Sequence, residues 1–410
     1  MKRIIVLGGG YDQIDLIKDL RSRGYYTILL DYYANPVAKD YAHEHIQVST
    51  LDQEAVLKLA EELDVDGIIT ACTDQALLTM AYVAGKLNLP CSLTYDKARN
   101  ITNKSFMKKV MRDNDIPTSR FRIVSEYADT ADSDLKYPLM IKPVDCNSSK
   151  GVVKVENHED IRPAILNALQ LSRSKGAVIE EYVDGKEVSI DAYVTDDGVK
   201  IIMVGELIKV SVNSSTQLII QNLIPARIRP AAIEKIQWIA SRIAKAFEIE
   251  NSPLLIQAIV AGDNVSVIEF SARLGGGCKH HTIASMTGFD VMKANVDSLL
   301  GITPVIPKIS RPKKIVSRLH LYLHPGILAS IHGTEEIAGL GICKEIVINK
   351  PIGAVFTSPK ASTDRLGSIL YEASSEMDLK DKIAASLKIL KIINTEGDDM
   401  LYMDLYHRYL

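Results

Sequence analysis

Roughly the first hundred residues alternate between short apolar runs and amphipathic segments, and this alternation constrains the fold more than any other feature of the chain. The runs RIIVLG, YTILLD and DGIITA are rich in β-branched residues. The segments between them, such as IDLIKDLRSRG, carry apolar residues at helical spacing. Strands that alternate with helices form a parallel sheet covered on both faces. We therefore expect an α/β domain with a Rossmann-like parallel sheet over residues 1–100.

After about residue 104 the pattern changes to strands joined by hairpin turns. YPLMIKPV, GVVKVE, AVIEEYV and EVSIDAYV are predicted strands, and PLLIQAIVAGDNVSVIEFSARL predicts a hairpin that turns at residues 262–264. A further run begins with SRLHLYL and ends with the helical pattern DLKDKIAASLKIL. We expect two α+β lobes over residues 101–178 and 179–310, followed by a small α+β lobe over residues 311–410.

Composition excludes several classes of protein. The net charge is −3, which argues against a general nucleic-acid or anionic-membrane surface. No apolar run reaches about 18 residues, the length that a membrane span needs. The N-terminal apolar run is short and enters a glycine turn rather than a cleavage site. The five cysteines are far apart and form no C-x-x-C pair, as is typical of reduced thiols. We expect a cytoplasmic location.

The glycines after the first strand allow two interpretations. Gly8 and Gly10 occupy the first and third positions of a dinucleotide fingerprint, but the sixth position is Gln13. Asp31 ends the second strand, where a ribose-binding acid would lie. The alternative is a tight strand-to-helix turn, which the missing glycine favours. Such a turn leaves N–H groups at a helix N-terminus, where an anionic substrate can bind.

Two stretches in the middle of the chain predict nucleotide contacts. Lys142 lies in the apolar strand YPLMIKPV, where an ammonium without a partner is costly. The serine- and glycine-containing loop after it could wrap phosphates with its N–H groups, although a lysine that extends from a sheet edge explains the strand equally well. In VIEEYVDGKE, Glu180 to Tyr182 end one strand and Glu187 begins the next. This crossing could contact adenine and ribose, or could be a solvated turn.

The stretch VIEFSARLGGG, residues 267–277, predicts a metal and phosphate site. Strand alternation places Glu269, Ser271 and Arg273 on one face, which is too polar for a core. Mg²⁺ prefers hard oxygen ligands and shares them with substrate phosphates, and Gln257 on the preceding strand can face the same site. Arg273 would stabilise charge on a transferred phosphoryl group. The alternative is a structural Glu269–Arg273 ion pair.

Taken in this order, the motifs resemble the ATP-grasp superfamily, and most closely its L-amino-acid ligase and carbamoyl-phosphate-synthetase-like group. The resemblance spans nearly the whole chain. It implies a nucleotide-like pre-ATP-grasp domain, ATP-grasp lobes and a closing lobe. It also implies a carboxylate–amine ligase that uses ATP with Mg²⁺ or Mn²⁺, passes through an acyl-phosphate and releases ADP and phosphate.

The resemblance assigns roles to individual residues. It implies ATP contacts for Lys104, Lys142, Ser148, Ser149, Gly151, Glu180, Glu181, Tyr182, Val183, Glu187 and Lys209. It implies catalytic roles for Arg273 and Lys142, and metal contacts for Gln257, Glu269 and Ser271. The family usually has an acid near Gln257 and an asparagine in place of Ser271. Both replacements keep an oxygen ligand, but they remove charge or reach, so they predict a weakly held second Mg²⁺.

The substrates are less constrained. The C-terminal stretch is similar to the closing lobe of L-amino-acid ligases, which implies small carboxylate and amine partners, with amino acids among the candidates. Arg365, His280 and His281 are substrate-side candidates, and the alternative for the histidines is a surface or capping role. A bicarbonate-using or purine-pathway enzyme and an ATP-binding regulator without ligase activity are the other candidate functions. A homodimer is the expected oligomer.

Overall fold

The computed structural model describes residues 1–126, 134–146, 150–212, 216–309 and 312–410. They divide into two compact units. The first unit comprises the described residues within 1–147, 151–203 and 228–309, and the second comprises those within 148–150, 204–227 and 310–410. The division into four domains stays a prediction.

The first unit begins with a parallel sheet, as the strand and helix alternation predicts. Its strands follow the order β3-β2-β1-β4, and β1 runs parallel to both β2 and β4. Strand β1 is almost wholly buried because helices accompany the sheet. The elements are β1 Arg3–Leu7, α1 Gln13–Ser22, β2 Tyr26–Asp31, β3 Glu44–Gln47, α2 Gln53–Glu62, β4 Gly67–Ile69, α3 Asp74–Leu87 and α4 Tyr95–Thr102.

An antiparallel sheet with the order β5-β8-β6-β7 follows in the same unit. Alternate residues of its strands pack on one helix, so that Ile141 and Ile179 lie in a core with Ile165. Its elements are α5 Lys104–Asp113, β5 Phe121–Val124, β6 Leu139–Pro143, β7 Val153–Val155, α6 Ile161–Leu171 and β8 Ala177–Glu181.

A second group of antiparallel strands in this unit has the order β13-β12-β9. Strands β12 and β13 form the predicted hairpin, with Gly262 at φ +63° in the turn. The register places Gln257 opposite Glu269 and Leu255 opposite Ser271. The elements are β9 Lys186–Thr195, α7 Pro230–Ala246, β12 Ser252–Ala261, β13 Asn264–Ser271, α8 Lys279–Thr287 and α9 Val291–Leu299.

The second unit is α+β. Strand β10, Gly198–Ser211, has residues in both units, and its later part pairs with β11. Within this unit the order continues β11-β14-β18-β16, and a separate sheet has the order β17-β15-β19. Leu319, Ile369 and Ile383 lie in its core. The elements are β11 Gln217–Ile224, β14 Ile315–Leu321, β15 Gly326–His332, α10 Thr334–Gly339, β16 Glu345–Ile348, β17 Val355–Phe356, β18 Gly367–Ala373, α11 Glu376–Ile389 and β19 Lys391–Asn394.

The segment that follows helix α5 is hydrogen-bonded directly to strand β13. The Val267 N–H donates to the Pro117 carbonyl at 2.8 Å, and Thr118 Oγ1 donates to the Val267 carbonyl at 2.7 Å. The segment that leaves α5 therefore runs beside β13, and the ion pair between Lys104 and Glu269 joins the start of the helix to the same strand. Among the described residues, no helix combines the length and the apolarity that crossing a membrane requires.

Candidate functional site

A cavity of the first unit, lined by both polar and apolar side chains, lies between the β12–β13 hairpin and the start of α5. Glu269 faces Lys104, the first residue of α5, and their Oε2 and Nζ atoms are 3.2 Å apart. The Lys104 ammonium also donates to the Cys146 carbonyl at 2.7 Å. The cavity is lined by Asp74, Ile101, Thr102, Lys104, Met107, Leu255, Gln257, Glu269, Phe270, Ser271 and Arg273. The predicted metal residues and the first predicted lysine thus meet in one place.

Burial and charge oppose each other at Lys104. Burial disfavours the ammonium, but Glu269 outweighs that effect by its charge and its hydrogen bond, so the pKa of Lys104 lies above its ordinary value. The ammonium therefore stays charged at neutral pH. A fixed positive charge beside a carboxylate is a suitable setting for phosphate oxygens and a metal ion.

Arg273 is held by a residue that sequence reasoning missed. Its Nε donates to Asp74 Oδ1 at 2.6 Å, and its Nη2 donates to Asp74 Oδ2 at 2.5 Å. Burial alone would raise the pKa of Asp74, but the adjacent guanidinium outweighs it and the pKa lies below its ordinary value. The alternative of a Glu269–Arg273 ion pair is wrong, because Glu269 pairs with Lys104 and Arg273 pairs with Asp74.

Lys142, the second predicted lysine, shares a carboxylate with another buried lysine. Glu180 Oε2 lies 3.1 Å from Lys142 Nζ and 3.3 Å from Lys108 Nζ, and Ser119 Oγ donates to it at 2.8 Å. Burial would raise the pKa of Glu180, but the two ammonium groups lower it to about 2. The alternative that Lys142 extends from a sheet edge into solvent is wrong, because the side chain is buried against Glu180.

Lys108 is also missing from the residues predicted from the sequence. Burial lowers the pKa of its ammonium to about 8, although Glu180 acts in the opposite direction. The available signal was its spacing, because Lys104 and Lys108 are four residues apart and share one face of α5. That signal was weak, since paired lysines at this spacing usually face solvent.

The loop after Lys142 is only partly described. Ser148 and Ser149 lie outside the described residues, so their predicted phosphate contacts stay predictions. Gly151 is described, with φ +74°. A Cβ atom there would lie 2.6 Å from Leu171 Cδ1 and 2.9 Å from Pro143 Cγ. Glycine is therefore required where the loop returns beside the end of β6.

The predicted adenine and ribose residues follow β8. Glu181 Oε1 accepts from Arg120 Nη1 at 2.9 Å, and the exposed Tyr182 ring lies under the Lys154 ammonium at 4.3 Å. Val183 and Glu187 are half-buried, and Glu187 pairs with Ile259 across β9 and β12. The nucleotide contacts of these residues and of Glu180 stay predictions.

Two predicted residues lie in the second unit. Lys209 pairs with Ile219 at a bulge between β10 and β11. Arg365 lies near His320, with Nη1 and Nδ1 3.4 Å apart. The ATP contact of Lys209 and the substrate contact of Arg365 stay predictions.

The N-terminal glycine turn is closed by its own contacts. Asp31 Oδ2 accepts from the Gly9 N–H at 2.6 Å, and Asp31 Oδ1 accepts from the Tyr33 N–H at 2.8 Å. A Cβ atom on Gly9 would lie 2.4 Å from Pro36 Cβ. These contacts favour the tight-turn interpretation over a dinucleotide site, because the carboxylate that would bind a ribose is already bound to the backbone.

The glycine loop after Arg273 is explained largely by packing within the protein. A Cβ atom on Gly275 would lie 2.4 Å from Lys279 Cδ and 2.6 Å from Asp191 Oδ1. Lys279 Nζ pairs with Asp191 Oδ2 at 3.0 Å and contacts Ser189 Oγ. The close approach at Gly275 is therefore by two side chains of the protein. Lys279 and Asp191 were not predicted.

The adjacent histidines face helix α1. His280 is buried and His281 is half-buried, and the Nε2 atoms of both contact Asp15 Oδ2. For His280 the alternative of a surface role is therefore wrong. Asp12 accepts from the Gly277 and Cys278 N–H groups at 3.0 and 2.8 Å, so it fixes the loop immediately before α8.

Comparison with known proteins identifies the fold of the chain and one of its domains. Residues 135–281 match the family model of the ATP-grasp domain. The crystal structure of L-amino acid ligase from Bacillus licheniformis is similar with a TM-score of 0.79 and 21% identity, over 96% of this chain and 99% of that one. For phosphoribosylglycinamide synthetase from Anaerococcus prevotii the TM-score is 0.77 with 21% identity, over 96% of this chain and 100% of that one. The chain has the ATP-grasp fold and carries an ATP-grasp domain.

Similarity to curated proteins extends over most of the chain. The carbamoyl phosphate synthase large chain of Clostridium acetobutylicum is 21% identical over 97% of this chain, which corresponds to 40% of that protein. Three fungal multifunctional proteins also match, and this chain spans 15% to 22% of their length. The chain is thus similar to one segment of much longer proteins.

Proposed function

We propose that this protein is an ATP-dependent ligase that joins a carboxylate to an amine through an acyl-phosphate and releases ADP and phosphate. The observation that carries the proposal is the cavity in which Glu269, Lys104 and Arg273 meet at the β12–β13 hairpin. A carboxylate, an ammonium and a guanidinium around one cavity of an ATP-grasp domain suit a phosphate-rich ligand, a divalent cation and a developing anion.

Two lysines supply charge for the phosphates of ATP. Lys104 lies in the cavity beside Glu269, and Lys142 is the last residue but one of β6. Each ammonium is already beside a carboxylate, so its position does not depend on the ligand. Prior placement lowers the entropy cost of holding a polyphosphate. Tyr182, Val183 and Glu187 would hold the base and the ribose.

The oxygen ligands on the hairpin fit Mg²⁺ or Mn²⁺. Glu269 offers a carboxylate, and its side chain is 35% exposed. Gln257 lies directly opposite Glu269 in the pairing of β12 with β13. Ser271 lies on the same face two residues further along β13. When bound, the ion neutralises charge on the phosphates. One carboxylate among the three residues supports one firmly held ion better than two.

Arg273 would steady the reacting carboxylate and the phosphoryl group that it receives. Three of its N–H groups are used, two toward Asp74 and one toward the Leu274 carbonyl. A guanidinium has five N–H donors, so about two are left for an anion. Because Asp74 fixes the plane of the guanidinium, those donors keep a constant direction.

The names of the relatives support a C–N ligase without selecting the substrates. One structural neighbour is an L-amino acid ligase and another is phosphoribosylglycinamide synthetase. An amino-acid ligase is our leading choice within the class. A bicarbonate-using enzyme is the second candidate, favoured by the match to carbamoyl phosphate synthase over 97% of this chain. An ATP-binding regulator is the third, favoured by Gln257 and Ser271.

Product analysis separates the three candidates. The protein is incubated with Mg²⁺ and ATP over pooled amino acids and small carboxylates, and ADP, phosphate and product masses are measured. We expect ADP release that needs two partners and a product whose mass is their sum minus water. Release that depends on bicarbonate supports the second candidate. ATP binding without release under either condition contradicts the ligase and supports the regulator.

Matched variants then test the site. We expect Glu269→Gln to remove turnover, whereas Glu61→Gln on the exposed side of α2 leaves it unchanged. Full activity of Glu269→Gln contradicts the assignment of the cavity. Circular dichroism and thermal unfolding of both variants show whether lost turnover reflects lost structure.

A further inference from the structure

Asp15, His280 and His281 form a compact cluster outside the cavity at the β12–β13 hairpin. Asp15 lies in the first turn of α1, and the two histidines lie in the first turn of α8. His280 Nε2 is 3.0 Å from Asp15 Oδ2, and His281 Nε2 contacts the same oxygen. One ligand atom from each residue lies within 4.8 Å of the other two. Three groups with metal-binding chemistry thus converge on a single point.

Asp12 fixes this arrangement from the other side. Its carboxylate accepts from the Gly277 and Cys278 N–H groups, so the loop before α8 is attached to the turn before α1. The same carboxylate lies 3.8 Å from His280 Nδ1. His280 is only 5% exposed, and its Nδ1 has no hydrogen-bond partner among the described residues.

In the neutral form of His280, one ring nitrogen faces a carboxylate to which it cannot donate. A neutral imidazole carries one N–H, so donation from Nε2 to Asp15 leaves Nδ1 as an acceptor. That acceptor then faces the carboxylate of Asp12, and neither can donate to the other. A cation bound at Nε2 places the proton on Nδ1, which can then donate to Asp12. A metal-bound histidine usually gives its second N–H to a carboxylate or carbonyl in this way.

We propose that Asp15, His280 and His281 bind a divalent transition metal ion of the Zn²⁺ type, with Asp12 as the outer carboxylate that orients His280. Imidazole nitrogens and one carboxylate oxygen form a ligand set that Zn²⁺ accepts at about 2.0–2.2 Å. Three protein ligands leave one of the four positions of a tetrahedral site for water or a substrate oxygen. The site differs from the Glu269 site in both ligand type and location.

The alternative is a purely hydrogen-bonded cluster. In that arrangement Asp15 accepts from both imidazoles, and these hydrogen bonds hold the pKa of Asp15 below its ordinary value. A second proton on His280 would then satisfy Asp12 without a metal. The two arrangements differ in whether the protein binds Zn²⁺, which a direct titration measures.

The test is a titration of the chelator-treated protein with ZnCl₂ by isothermal calorimetry, without nucleotide or Mg²⁺. We expect one stoichiometric site that is lost in Asp15→Asn, His280→Ala and His281→Ala. His158→Ala is the matched control, because His158 is exposed and far from the cluster in sequence, and it should bind Zn²⁺ like the wild type. Asp12→Asn should bind about 10- to 100-fold more weakly.

Absence of a stoichiometric site in the wild type would overturn the proposal, as would unchanged binding in His280→Ala and His281→Ala. If a variant does not fold, the visible absorption of Co²⁺ added to the wild-type protein shows whether the cluster binds a metal ion in tetrahedral geometry. Intense bands that Zn²⁺ abolishes support a tetrahedral site, and a spectrum equal to that of aqueous Co²⁺ contradicts it. The proposal does not depend on the ligase function, because Glu269→Gln should keep Zn²⁺ binding while it loses turnover.

Discussion

Arg273 and Asp74 form an ion pair with two hydrogen bonds between residues that are 199 positions apart in the chain. Asp74 opens α3 beside the N-terminal sheet, and Arg273 follows β13 of the ATP-grasp domain. The Nε–Oδ1 and Nη2–Oδ2 distances are 2.6 and 2.5 Å. The N-terminal α/β region therefore orients the arginine that we place at the reacting carboxylate. Asp74 lies outside the sequence motif that contains Arg273.

Asp74→Asn should lower stability and turnover together. The side chains of Asp74 and Arg273 are 21% and 12% exposed, so the loss of one charge leaves a guanidinium with poor solvation. We expect a loss of about 3 kcal/mol in the free energy of unfolding in urea, in line with other broken buried pairs. Asp96→Asn, whose partner Arg99 is on the surface, is the control and should change stability by about 0–1 kcal/mol. Equal effects of the two substitutions would contradict this account.

Glu180→Gln should destabilise the protein much more than Glu181→Gln. Glu180 is buried between the ammonium groups of Lys108 and Lys142, and its loss leaves two buried charges without a carboxylate. We expect a cost of about 3–5 kcal/mol. Glu181 pairs with the half-exposed Arg120, so its substitution should cost about 0–1 kcal/mol. Chemical denaturation of both variants is the measurement, and similar midpoints would refute the assignment of Glu180 as the shared carboxylate.

The stability contributed by Lys108 should depend on alkaline pH. Burial lowers the pKa of Lys108 to about 8 in the folded protein, whereas an unfolded lysine has an ordinary value near 10.5. Between these values the unfolded chain binds more protons than the folded one, so stability rises with pH in that range. The free energy of unfolding of the wild type minus that of Lys108→Met should therefore increase between about pH 8 and pH 10, by up to about 3 kcal/mol.

Lys109→Met, at the neighbouring exposed position of α5, is the control for Lys108→Met. The difference in the free energy of unfolding between the wild type and Lys109→Met should stay constant over the same pH range. A constant difference for Lys108→Met as well would show that Lys108 keeps an ordinary pKa in the folded protein.

Gly275→Ala should disturb the loop that follows Arg273. The added Cβ would lie 2.4 Å from Lys279 Cδ and 2.6 Å from Asp191 Oδ1, so the Lys279–Asp191 pair must move. We expect a loss of about 1–3 kcal/mol in stability. Gly85→Ala within α3 meets no atom within 4 Å and should stabilise the helix by about 0.5–1 kcal/mol. Thermal unfolding measures both, and a stabilised Gly275→Ala variant would show that the loop has more room than the structure indicates.

Gln257→Glu should tighten the binding of the divalent cation if the ligase proposal holds. The substitution restores the acid that ATP-grasp enzymes usually carry, directly opposite Glu269 in the ladder. Because an added carboxylate strengthens a hard-cation site, the Mg²⁺ concentration for half-maximal ADP release should fall. Gln170→Glu on the exposed face of α6 adds the same charge elsewhere and should leave that concentration unchanged. An unchanged half-maximal Mg²⁺ concentration in Gln257→Glu would show that Gln257 does not contribute to the metal site.

Those parts of the site that depend on local periodicity could be predicted from the amino-acid sequence. Strand alternation placed Glu269 and Ser271 on one face of β13, and the hairpin turn brought Gln257 beside them. The strand and helix alternation likewise predicted the parallel N-terminal sheet. These features follow from residues that are close in the chain, so the spacing of side chains is sufficient to predict them.

The partners of these side chains, in contrast, depend on tertiary contacts between distant parts of the chain. Asp74 reaches Arg273 across 199 residues, Glu180 reaches Lys142 across 38, and Asp15 reaches His280 across 265. No periodicity links residues at such separations, because their contact depends on the path of the whole chain. Burial then decides their charge states, since the same carboxylate or ammonium behaves differently when water is excluded and a partner is fixed beside it.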